Sequence, residues 1–473
     1  MIQVPAPNIN QKENSSSHRL LAMAKHIVAL PFPGEGHVSP MMHLSIFLAQ
    51  QGFSITLAAM TIGPFDCYSF IKNKGTWPPP GTTNISVKEL TSTVPFPAEA
   101  ISENRADMTQ ILRYAQTYLA LMEELVRAIP DEVCCIISDY LFDWCPKLAA
   151  KLGVLGVVLI PASATVTWCE LSIARLAAAG MVPSQPGELA DDDAAVILTD
   201  PEIRRSEIPW HFCNDKAYQD HIAKFNSQAL KAADLAIVNT CMELEGQIVS
   251  AISQQMDDKF LPVGPLFLLN DEPHTVGFGV CDTDCLKWLD EQPPSSVLYI
   301  SFGSFAVMTG DQMEEIVRGL EASSKKFLWV IRPEQPEISK VRFPSTDQGM
   351  VVSWSPQTKV LSHPSVGAFL SHCGWNSTVE AVASGKPVLC WPLLFEQNTN
   401  SISLVRKWKV GIRFAKGRDG MVSRDEVERI IRLAMDGEQG RQIRERAEEL
   451  GEKIRSKNVP GSGLERFVTA LSV

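Results

Sequence analysis

The sequence is short of positive charge: its 473 residues contain 43 Lys and Arg against 54 Asp and Glu, a net charge of −11. Proteins that bind nucleic acid by neutralising its phosphates need clustered Lys and Arg, so this balance argues against nucleic acid as a partner. An anionic ligand would have to be held by local devices, such as helix N-termini and oriented backbone N–H groups.

Long hydrophobic runs are also missing. No stretch of about 18 uninterrupted apolar residues occurs, and the polar residues 1–24 lack the apolar core of a secretory signal. We therefore expect no integral membrane span and a flexible leader over residues 1–24. The eleven cysteines are odd in number, form no C-x-x-C pair and lie partly in apolar runs, which is typical of reduced thiols in a cytoplasmic protein.

The length predicts two domains, because 473 residues exceed what one hydrophobic core usually serves. Apolar runs alternate with helical patterns in both halves, for example at 26–30 and 297–302, which indicates parallel sheets covered by helices on both faces. Pro and Gly cluster between the halves. We expect an N-terminal domain over 25–260, a linker over 261–275, a C-terminal domain over 276–450 and a terminal helix over 451–473 that packs back on the N-terminal domain.

A candidate general base lies in the first strand-loop-helix unit. The apolar run 26–30 is followed by the loop 34–37 and by Ser39 and Pro40, which predict a helix with Ser39 as its N-cap. His37 then lies just before a helix N-terminus, whose positive end disfavours protonation of the ring. Taken alone, a histidine in such a loop is more often a surface or capping residue.

The densest group of polar and aromatic residues lies between 354 and 397. A predicted strand ends at His372, a glycine follows two residues later, and a helix begins near residue 376. Ligands of α/β sheets bind at such strand ends, and unpaired N–H groups of the helix N-terminus suit a diphosphate. Ser377 and Glu380 also match the S-x-x-E capping box, in which both side chains bind the helix's own N–H groups.

The segment 354–397, which we call the signature segment, reads W-S-P-Q at its start, H-C-G-W-N-S-T-V-E in the middle and F-E-Q at its end. It resembles the plant secondary product glycosyltransferase (PSPG) signature of family 1 glycosyltransferases, which use UDP sugars. The likeness covers nearly the whole chain, with P-G-E-G-H at 33–37, S-D at 138–139, V-N-T at 238–240 and S-F-G-S at 301–304. It implies the GT-B fold, an α/β architecture of two Rossmann-like doubly wound domains facing each other across a cleft.

The resemblance also implies roles for individual residues. Trp354 stacks on uracil, Gln357 contacts the uridine and Glu380 accepts hydrogen bonds from the ribose. The diphosphate is held by Ser304, His372, Asn376 and Ser377, with Gly374 letting the backbone approach, and the hexose by Trp375, Glu396 and Gln397. Gln at the last position accompanies UDP-glucose more often than UDP-galactose, whereas Glu396 replaces the more usual Asp, so the sugar is less firmly implied than the nucleotide.

His37 is implied as the base and Asp139 as the carboxylate that binds its far ring nitrogen. An acceptor hydroxyl has a pKa far above neutrality, so its attack on the anomeric carbon needs a base that works near pH 7. Attack from the face opposite the leaving diphosphate inverts that carbon, and we expect an inverting enzyme with neither a metal nor another cofactor. Without the family, Asp139 is equally a helix N-cap or a strand-end residue.

Three alternatives remain open. A metal-dependent glycosyltransferase would use a D-x-D triplet, and two occur, at 191–193 and 282–284. A nicotinamide-dependent oxidoreductase is suggested by Gly34 and Gly36 after a strand, although Ser39 stands where G-x-G-x-x-G has its third glycine. The last is a non-catalytic nucleotide-sugar-binding protein. The presence of both His37 and Asp139 argues against it.

The acceptor is expected between variable loops of the first half, namely 65–68, 95–100, 144, 163–168 and 181–186. Their aromatic and apolar residues favour a small lipophilic acceptor, such as a phenolic, a flavonoid or a terpenoid of plant secondary metabolism. We expect the protein to be a cytoplasmic monomer.

Overall fold

The computed structural model describes residues 25–72, 78, 82–102, 105–181, 195–197, 202–208, 229–270, 284–304, 308–332, 341, 347–456 and 462–472. Two sheets of mainly parallel strands, one in each half of the chain, are covered by helices. The expected leader over 1–24 lies outside the described residues.

The first half is built on an eight-stranded sheet. In chain order its strands and short hairpins are β1 (His26–Leu30), β2 (Ser54–Ile62), β3 (Phe65–Asp66), β4 (Ile85–Leu90), β5 (Ile101–Ser102), β6 (Arg105–Ala106), β7 (Val133–Asp139), β8 (Leu155–Ile160), β9 (Ala195–Ile197), β10 (Ile203–Arg204), β11 (Leu235–Val238) and β12 (Phe260–Pro262). The sheet order is β12-β11-β8-β7-β1-β2-β3, with β4 also paired to β2. The helices of this half are α1 (Glu35–Gln50), α2 (Cys67–Lys72), α3 (Met108–Ala115), α4 (Leu119–Ala128), α5 (Cys145–Leu152), α6 (Ala164–Ala178) and α7 (Met242–Gln255).

The second half has a six-stranded sheet, and all of its strand pairs are parallel. Its strands are β13 (Val297–Ser301), β14 (Lys326–Val330), β15 (Gly349–Val352), β16 (Val366–Ser371), β17 (Val388–Cys390) and β18 (Gly411–Arg413), in the order β15-β14-β13-β16-β17-β18. The helices are α8 (Asp284–Asp290), α9 (Gly310–Ser323), α10 (Gln357–Ser362), α11 (Trp375–Ala383), α12 (Gln397–Ile402), α13 (Arg424–Met435), α14 (Gly437–Arg455) and α15 (Gly463–Ser472).

The central strands β1, β13 and β16 are buried along their whole length because helices cover both faces of each sheet. In β1, Ile27 and Ala29 pack into one core while Val28 and Leu30 pack into another on the opposite face, as the two-residue period of a strand requires. β13 divides its side chains in the same way between two cores of the second half. The expected α/β class is confirmed.

The start of α1 differs from the sequence prediction. The helix begins at Glu35 with Gly34 as its N-cap, not at Pro40 with Ser39 as the cap. The N–H of Val38 already donates to the Gly34 carbonyl at 2.8 Å, and the acidic side chain at position 35 suits the positive end of the helix. Pro40 therefore lies inside the helix, where its missing N–H leaves the Gly36 carbonyl without its partner along the helix.

The strand β12 extends into the first residues of the predicted linker. Leu261 and Pro262 pair with Ile237 and Val238, so β12 is an edge strand of the first sheet. The chain then forms a 3-10 turn, Leu266–Leu269, that packs against α1. Residues 271–283 of the predicted linker and second domain lie outside the described residues.

The end of the chain returns to the first half. The helix α14 runs through the predicted boundary at 450 and packs on α11 of the second half, whereas α15 packs on β11 and β12. Phe467 and Leu471 of α15 are buried in the same core as Ile27. Lys25 adds a hydrogen bond to the Ser472 carbonyl at 3.0 Å.

We expect Phe467→Ala to destabilise the first half by about 3–5 kcal/mol, because the change removes a fully buried ring from a packed core. Urea unfolding followed by tryptophan fluorescence measures this as a lower midpoint. Thr469→Ala, on the exposed side of the same helix, is the matched control and should change stability by less than about 0.5 kcal/mol. Equal midpoints for the two variants would show that α15 is not docked in solution.

Candidate functional site

A cavity of about 430 Å³ opens between the two halves, at the carboxyl ends of the parallel strands of both sheets. His37 lines it from the first half. Every predicted residue of the second half also lines it: Ser304, Trp354, Gln357, His372, Gly374, Trp375, Asn376, Ser377, Glu380, Glu396 and Gln397. The strand ends of α/β sheets collect these residues into one place although they lie far apart in sequence.

Asp139 does not line the cavity, but it contacts His37 directly. His37 lies on the first turn of α1, after β1, and Asp139 is the last residue of the neighbouring parallel strand β7. Nδ1 of His37 lies 2.7 Å from Oδ2 of Asp139. The other oxygen, Oδ1, accepts from the N–H of Leu141 at 3.0 Å. The carboxylate is fully buried, whereas the imidazole is 25% exposed. Because Nδ1 is engaged, Nε2 is the nitrogen left to accept a proton.

The pKa of His37 shifts in the direction opposite to the sequence prediction. Burial lowers the pKa of His37, but the carboxylate of Asp139, its hydrogen bond to the ring and the charge of Glu396 together outweigh burial and raise the pKa above the ordinary value of 6.5. The predicted shift was downward, and the folded chain reverses its direction. Two carboxylates stabilise the protonated ring more than burial destabilises it, which makes His37 a stronger base.

Gln357 organises the part of the cavity next to Trp354. Its Nε2 donates to Oγ of Ser377 at 2.9 Å and to Oε2 of Glu380 at 2.6 Å, and its Oε1 accepts from the Tyr299 hydroxyl at 3.2 Å. The capping-box interpretation is therefore wrong: α11 begins at Trp375, after Gly374, and no side chain caps it. Ser377 and Glu380 instead face Gln357 at the cavity.

The carboxyl group of Glu380 has a pKa near 7. Burial raises its pKa to about 7, the hydrogen bond from Gln357 opposes this, and the charge of Glu35 adds to it. A ligand that donates hydrogen bonds to this carboxyl would stabilise its ionised form.

His372 lies at the end of β16, opposite two glycines that make room for it. A Cβ on Gly303 or on Gly374 would come within 2.6 or 2.5 Å of its Nε2, so no larger residue fits without displacing the ring. Burial lowers the pKa of His372 to about 4, with the Ser301 backbone opposing. His372 is therefore neutral near pH 7 and carries one N–H beside the N-terminus of α11.

The chain is similar to known glycosyltransferases over most of its length. The family profile described as UDP-glucoronosyl and UDP-glucosyl transferase matches residues 284–437. UDP-glycosyltransferase 85A7 of Arabidopsis thaliana is 32% identical over 461 residues, which cover 90% of this chain and 92% of that protein. The 7-deoxyloganetin glucosyltransferase of Gardenia jasminoides is 31% identical, covering 94% and 97%. Phytolacca americana UGT2, solved with UDP-2fluoro-glucose and pterostilbene, superposes with a TM-score of 0.78 at 26% identity, covering 95% and 100%.

The chain belongs to the UDP-glycosyltransferase family. The resemblance found in the signature segment is confirmed, and so is the GT-B fold class with its two doubly wound domains. The protein is an enzyme that uses a UDP sugar. This finding excludes the oxidoreductase and the non-catalytic binding protein as alternatives.

Two neighbouring residues close the signature segment of this glycosyltransferase. Oε1 of Gln397 accepts from the N–H groups of Leu393 and Leu394 at 2.9 and 2.8 Å, which fixes the side chain and leaves its amide nitrogen for a ligand. Burial raises the pKa of Glu396, while backbone N–H groups and the charge of His37 oppose the rise. Glu396 and His37 line the same cavity, one from each half of the chain.

The sequence analysis missed Glu170, which lines the cavity from α6. Burial raises its pKa to about 8, and the charge of Glu396 contributes to the rise. A signal was available, because Glu170 is the single acidic residue in the otherwise mainly apolar helix Ala164–Ala178, one turn after Val166 on the same face. The sequence alone did not show which face of this helix meets the cavity.

Most residues of the two D-x-D triplets lie outside the described part of the chain. Residues 191–193 and Asp282 lie outside it, and Asp284 begins α8, where it binds Lys287 at 2.7 Å. The described residues contain no group of three or more His, Cys, Asp or Glu side chains placed to hold a metal. Among the same residues, no helix combines the length and apolar character needed to cross a bilayer.

Proposed function

We propose that this glycosyltransferase transfers glucose from UDP-glucose to a hydroxyl of a small lipophilic acceptor, with inversion at the anomeric carbon and His37 as the base. The observation that carries the proposal is the hydrogen-bonded pair of His37 and Asp139, which meets the same cavity as Trp354 and Glu380. A base and a nucleotide site that share one cavity are what direct transfer requires.

The donor fits the second half of the cavity. Uracil stacks on Trp354, the ribose hydroxyls donate to Glu380, and the diphosphate lies at the N-terminus of α11, beside the neutral His372. Helix N–H groups supply positive potential there, so an acidic protein can hold a diphosphate. The glucosyltransferase names among the relatives and the Gln at position 397 both favour glucose over galactose.

The reaction is a single displacement. The acceptor oxygen forms a bond to the anomeric carbon while its proton passes to Nε2 of His37, and the bond from that carbon to the diphosphate breaks with both electrons leaving on UDP. Asp139 stabilises the imidazolium that results. A base of this kind contributes roughly 10²–10⁴-fold, and the remainder comes from positioning and from stabilising the diphosphate.

The acceptor fits the apolar wall of the first half, which is formed by Phe65, Met108, Ile111, Tyr140, Leu141 and Val166. Phe65 and Val166 belong to segments expected from the sequence, whereas 95–100 and Trp144 do not line the cavity and 182–186 lie outside the described residues. Glu170 adds one polar side chain to this apolar wall. An acceptor could form a hydrogen bond to Glu170 through a second hydroxyl, away from the hydroxyl that reacts.

Replacing Glu170 by Leu should therefore change acceptor preference. We expect kcat/KM for an acceptor with two hydroxyls to fall about tenfold, the loss of one hydrogen bond, while the analogue with one hydroxyl keeps its value. Glu170→Gln, which retains a donor and an acceptor, should behave like the native enzyme. An equal loss for both acceptors with Glu170→Leu would place Glu170 outside acceptor recognition.

Binding of UDP-glucose should tighten as pH rises through about 7. Ribose hydroxyls that donate to Glu380 stabilise its ionised carboxylate. If Glu380 is protonated before UDP-glucose binds, binding releases that proton, so the affinity falls as pH drops below the pKa of Glu380 in the ligand-free protein. Calorimetric titration between pH 6 and 8 measures this slope. In Glu380→Gln the slope should vanish apart from any contribution of His37, and an unchanged slope would contradict the ribose assignment.

The proposed reaction is tested by incubating the protein with UDP-glucose and a panel of phenolics, flavonoids and terpenoids, with product detection by mass spectrometry. We expect a β-glucoside, established by the anomeric proton coupling in the NMR spectrum, and full activity in excess EDTA. An α-glucoside as the product would contradict inversion at the anomeric carbon. Loss of activity in EDTA would contradict the proposal that no metal is needed, and transfer only from another UDP sugar would contradict glucose as the transferred sugar.

The cytoplasmic location and the monomeric state stay predictions. Imaging of a tagged chain tests the location, and sedimentation tests the oligomeric state.

A further inference from the structure

A line of three hydrogen bonds crosses the cleft from the segment after β12 to the turn that carries His37. The N–H of Leu266 donates to Oδ1 of Asn239 at 2.8 Å, Nδ2 of Asn239 donates to Oδ1 of Asn376 at 3.4 Å, and Nδ2 of Asn376 donates to the Gly36 carbonyl at 3.0 Å. Gly36 directly precedes His37. The line therefore joins both halves at the catalytic pair.

The direction of this line is fixed by its two ends. A backbone N–H can only donate and a backbone carbonyl can only accept, so Leu266 and Gly36 determine which way both amide side chains point. Each Asn uses its oxygen towards Leu266 and its nitrogen towards Gly36. The carbonyl of Gly36 is available because Pro40, four residues on, has no N–H to give it.

Asn239 is held on every side. It follows β11, its N–H donates to the Ile160 carbonyl at 2.9 Å, and its own carbonyl accepts from the indole N–H of Trp375 at 2.7 Å. A Cβ on Gly264 would come within 2.5 Å of its Oδ1. Asn239 is 3% exposed and is not among the residues that line the cavity.

We infer that Asn239 is a positioning residue for the transfer reaction, which sets the distance between His37 and the diphosphate end of α11 through Asn376. The inference rests on the proposed role of His37 as the base. Asn376 lies on the first turn of α11, so the same amide that faces the diphosphate also touches the turn of the base. Asn239 itself contacts neither substrate.

Asn239→Asp tests this inference with little change in shape. The carboxylate still accepts from Leu266 and the backbone carbonyl still accepts from Trp375, but the side chain cannot donate to Asn376, so only this side-chain link across the cleft is lost. We expect kcat to fall by up to about a hundredfold, since a displacement of about 1 Å at a reacting centre can cost this much, while the Kd for UDP-glucose stays unchanged.

The matched control is Asn398→Asp, which also removes one amide donor between the halves, the bond to the Ser206 carbonyl at 3.0 Å, but has no link to the turn of His37. It should keep the native kcat. If both variants lose activity equally, or if Asn239→Asp weakens UDP-glucose binding as much as it lowers kcat, Asn239 is only a structural residue.

The decisive comparison uses His37→Ala as the background. Asn239 is inferred to act by positioning His37, so it should have no effect on the rate once His37 is replaced. Adding Asn239→Asp to His37→Ala should therefore cost no further activity. Losses that add up in the double variant would overturn the inference. Thermal unfolding of each variant shows whether it is folded, and Asn239→Gln offers a second amide if the Asp variant is not. A His37→Ala enzyme with native activity would instead contradict the proposed function itself.

Discussion

His37→Ala should lower kcat by about 10²–10⁴-fold and leave the Kd for UDP unchanged. The imidazole is the group whose free nitrogen meets the cavity, and its partner Asp139 is buried behind it. In the proposed arrangement the nucleotide is held by the other half of the cleft, so we expect its binding not to depend on the ring. Steady-state rates with saturating UDP-glucose and calorimetric titration with UDP measure the two quantities separately.

His363→Ala is a suitable control, because this histidine binds Asp290 and Ser365 away from the cavity and should keep full activity. Added imidazole should restore part of the activity of His37→Ala, since a free base can enter the space that the side chain leaves. Loss of UDP binding together with activity would show that the residue supports the fold or the nucleotide site instead.

Asp139→Asn should be nearly as damaging as loss of the base, with a fall in kcat of up to about 10⁴-fold, the size found when a triad Asp is replaced. Leu141 donates to Oδ1, so an Asn must present its oxygen to Leu141 and its NH₂ to His37. Nδ1 of His37 must then accept, which places the ring proton on Nε2. In that tautomer the nitrogen facing the cavity cannot take the acceptor proton.

The pH profile of the same variant gives an independent check. His37 acts as a base only when neutral, so kcat/KM falls as pH drops below its pKa, which lies above 6.5 in the native protein. Asp139→Asn removes the charge and the hydrogen bond that raise this pKa, so the acid limb of the residual activity should move to lower pH. A limb that stays in place would mean that another group controls it.

The sequence was sufficient for the fold and for predicting that most of the candidate residues meet in one place, because local signals specify strand ends. Apolar runs such as 26–30 and 297–302 mark strands, and the residues just after them meet at the carboxyl edge of a parallel sheet. The signature segment added the nucleotide side through its resemblance. The roles of its individual residues stay predictions, although the structure gathers those residues around one cavity.

Properties that depend on distant pairs were not predictable. The pKa of His37 is set by Asp139 and Glu396, which approach it only in the folded chain, so the local rule about helix ends gave the wrong direction. Glu170 escaped notice because the sequence does not show which face of α6 meets the cavity. Asn239 was seen only as part of the V-N-T match, because its contact with Asn376 forms only in the folded chain. The early start of α1 was missed because Pro40 resembles a first helical residue, although it lies further inside.

The central claim is that a base in one half faces a uridine nucleotide held by the other, and a crystal structure with UDP and a bound acceptor tests it most directly. We predict uracil stacked on the Trp354 ring, ribose hydroxyls on Glu380, and the acceptor hydroxyl within hydrogen-bond distance of Nε2 of His37, about 2.6–3.2 Å. A nucleotide bound away from Trp354, or an acceptor hydroxyl out of reach of His37, would contradict the account.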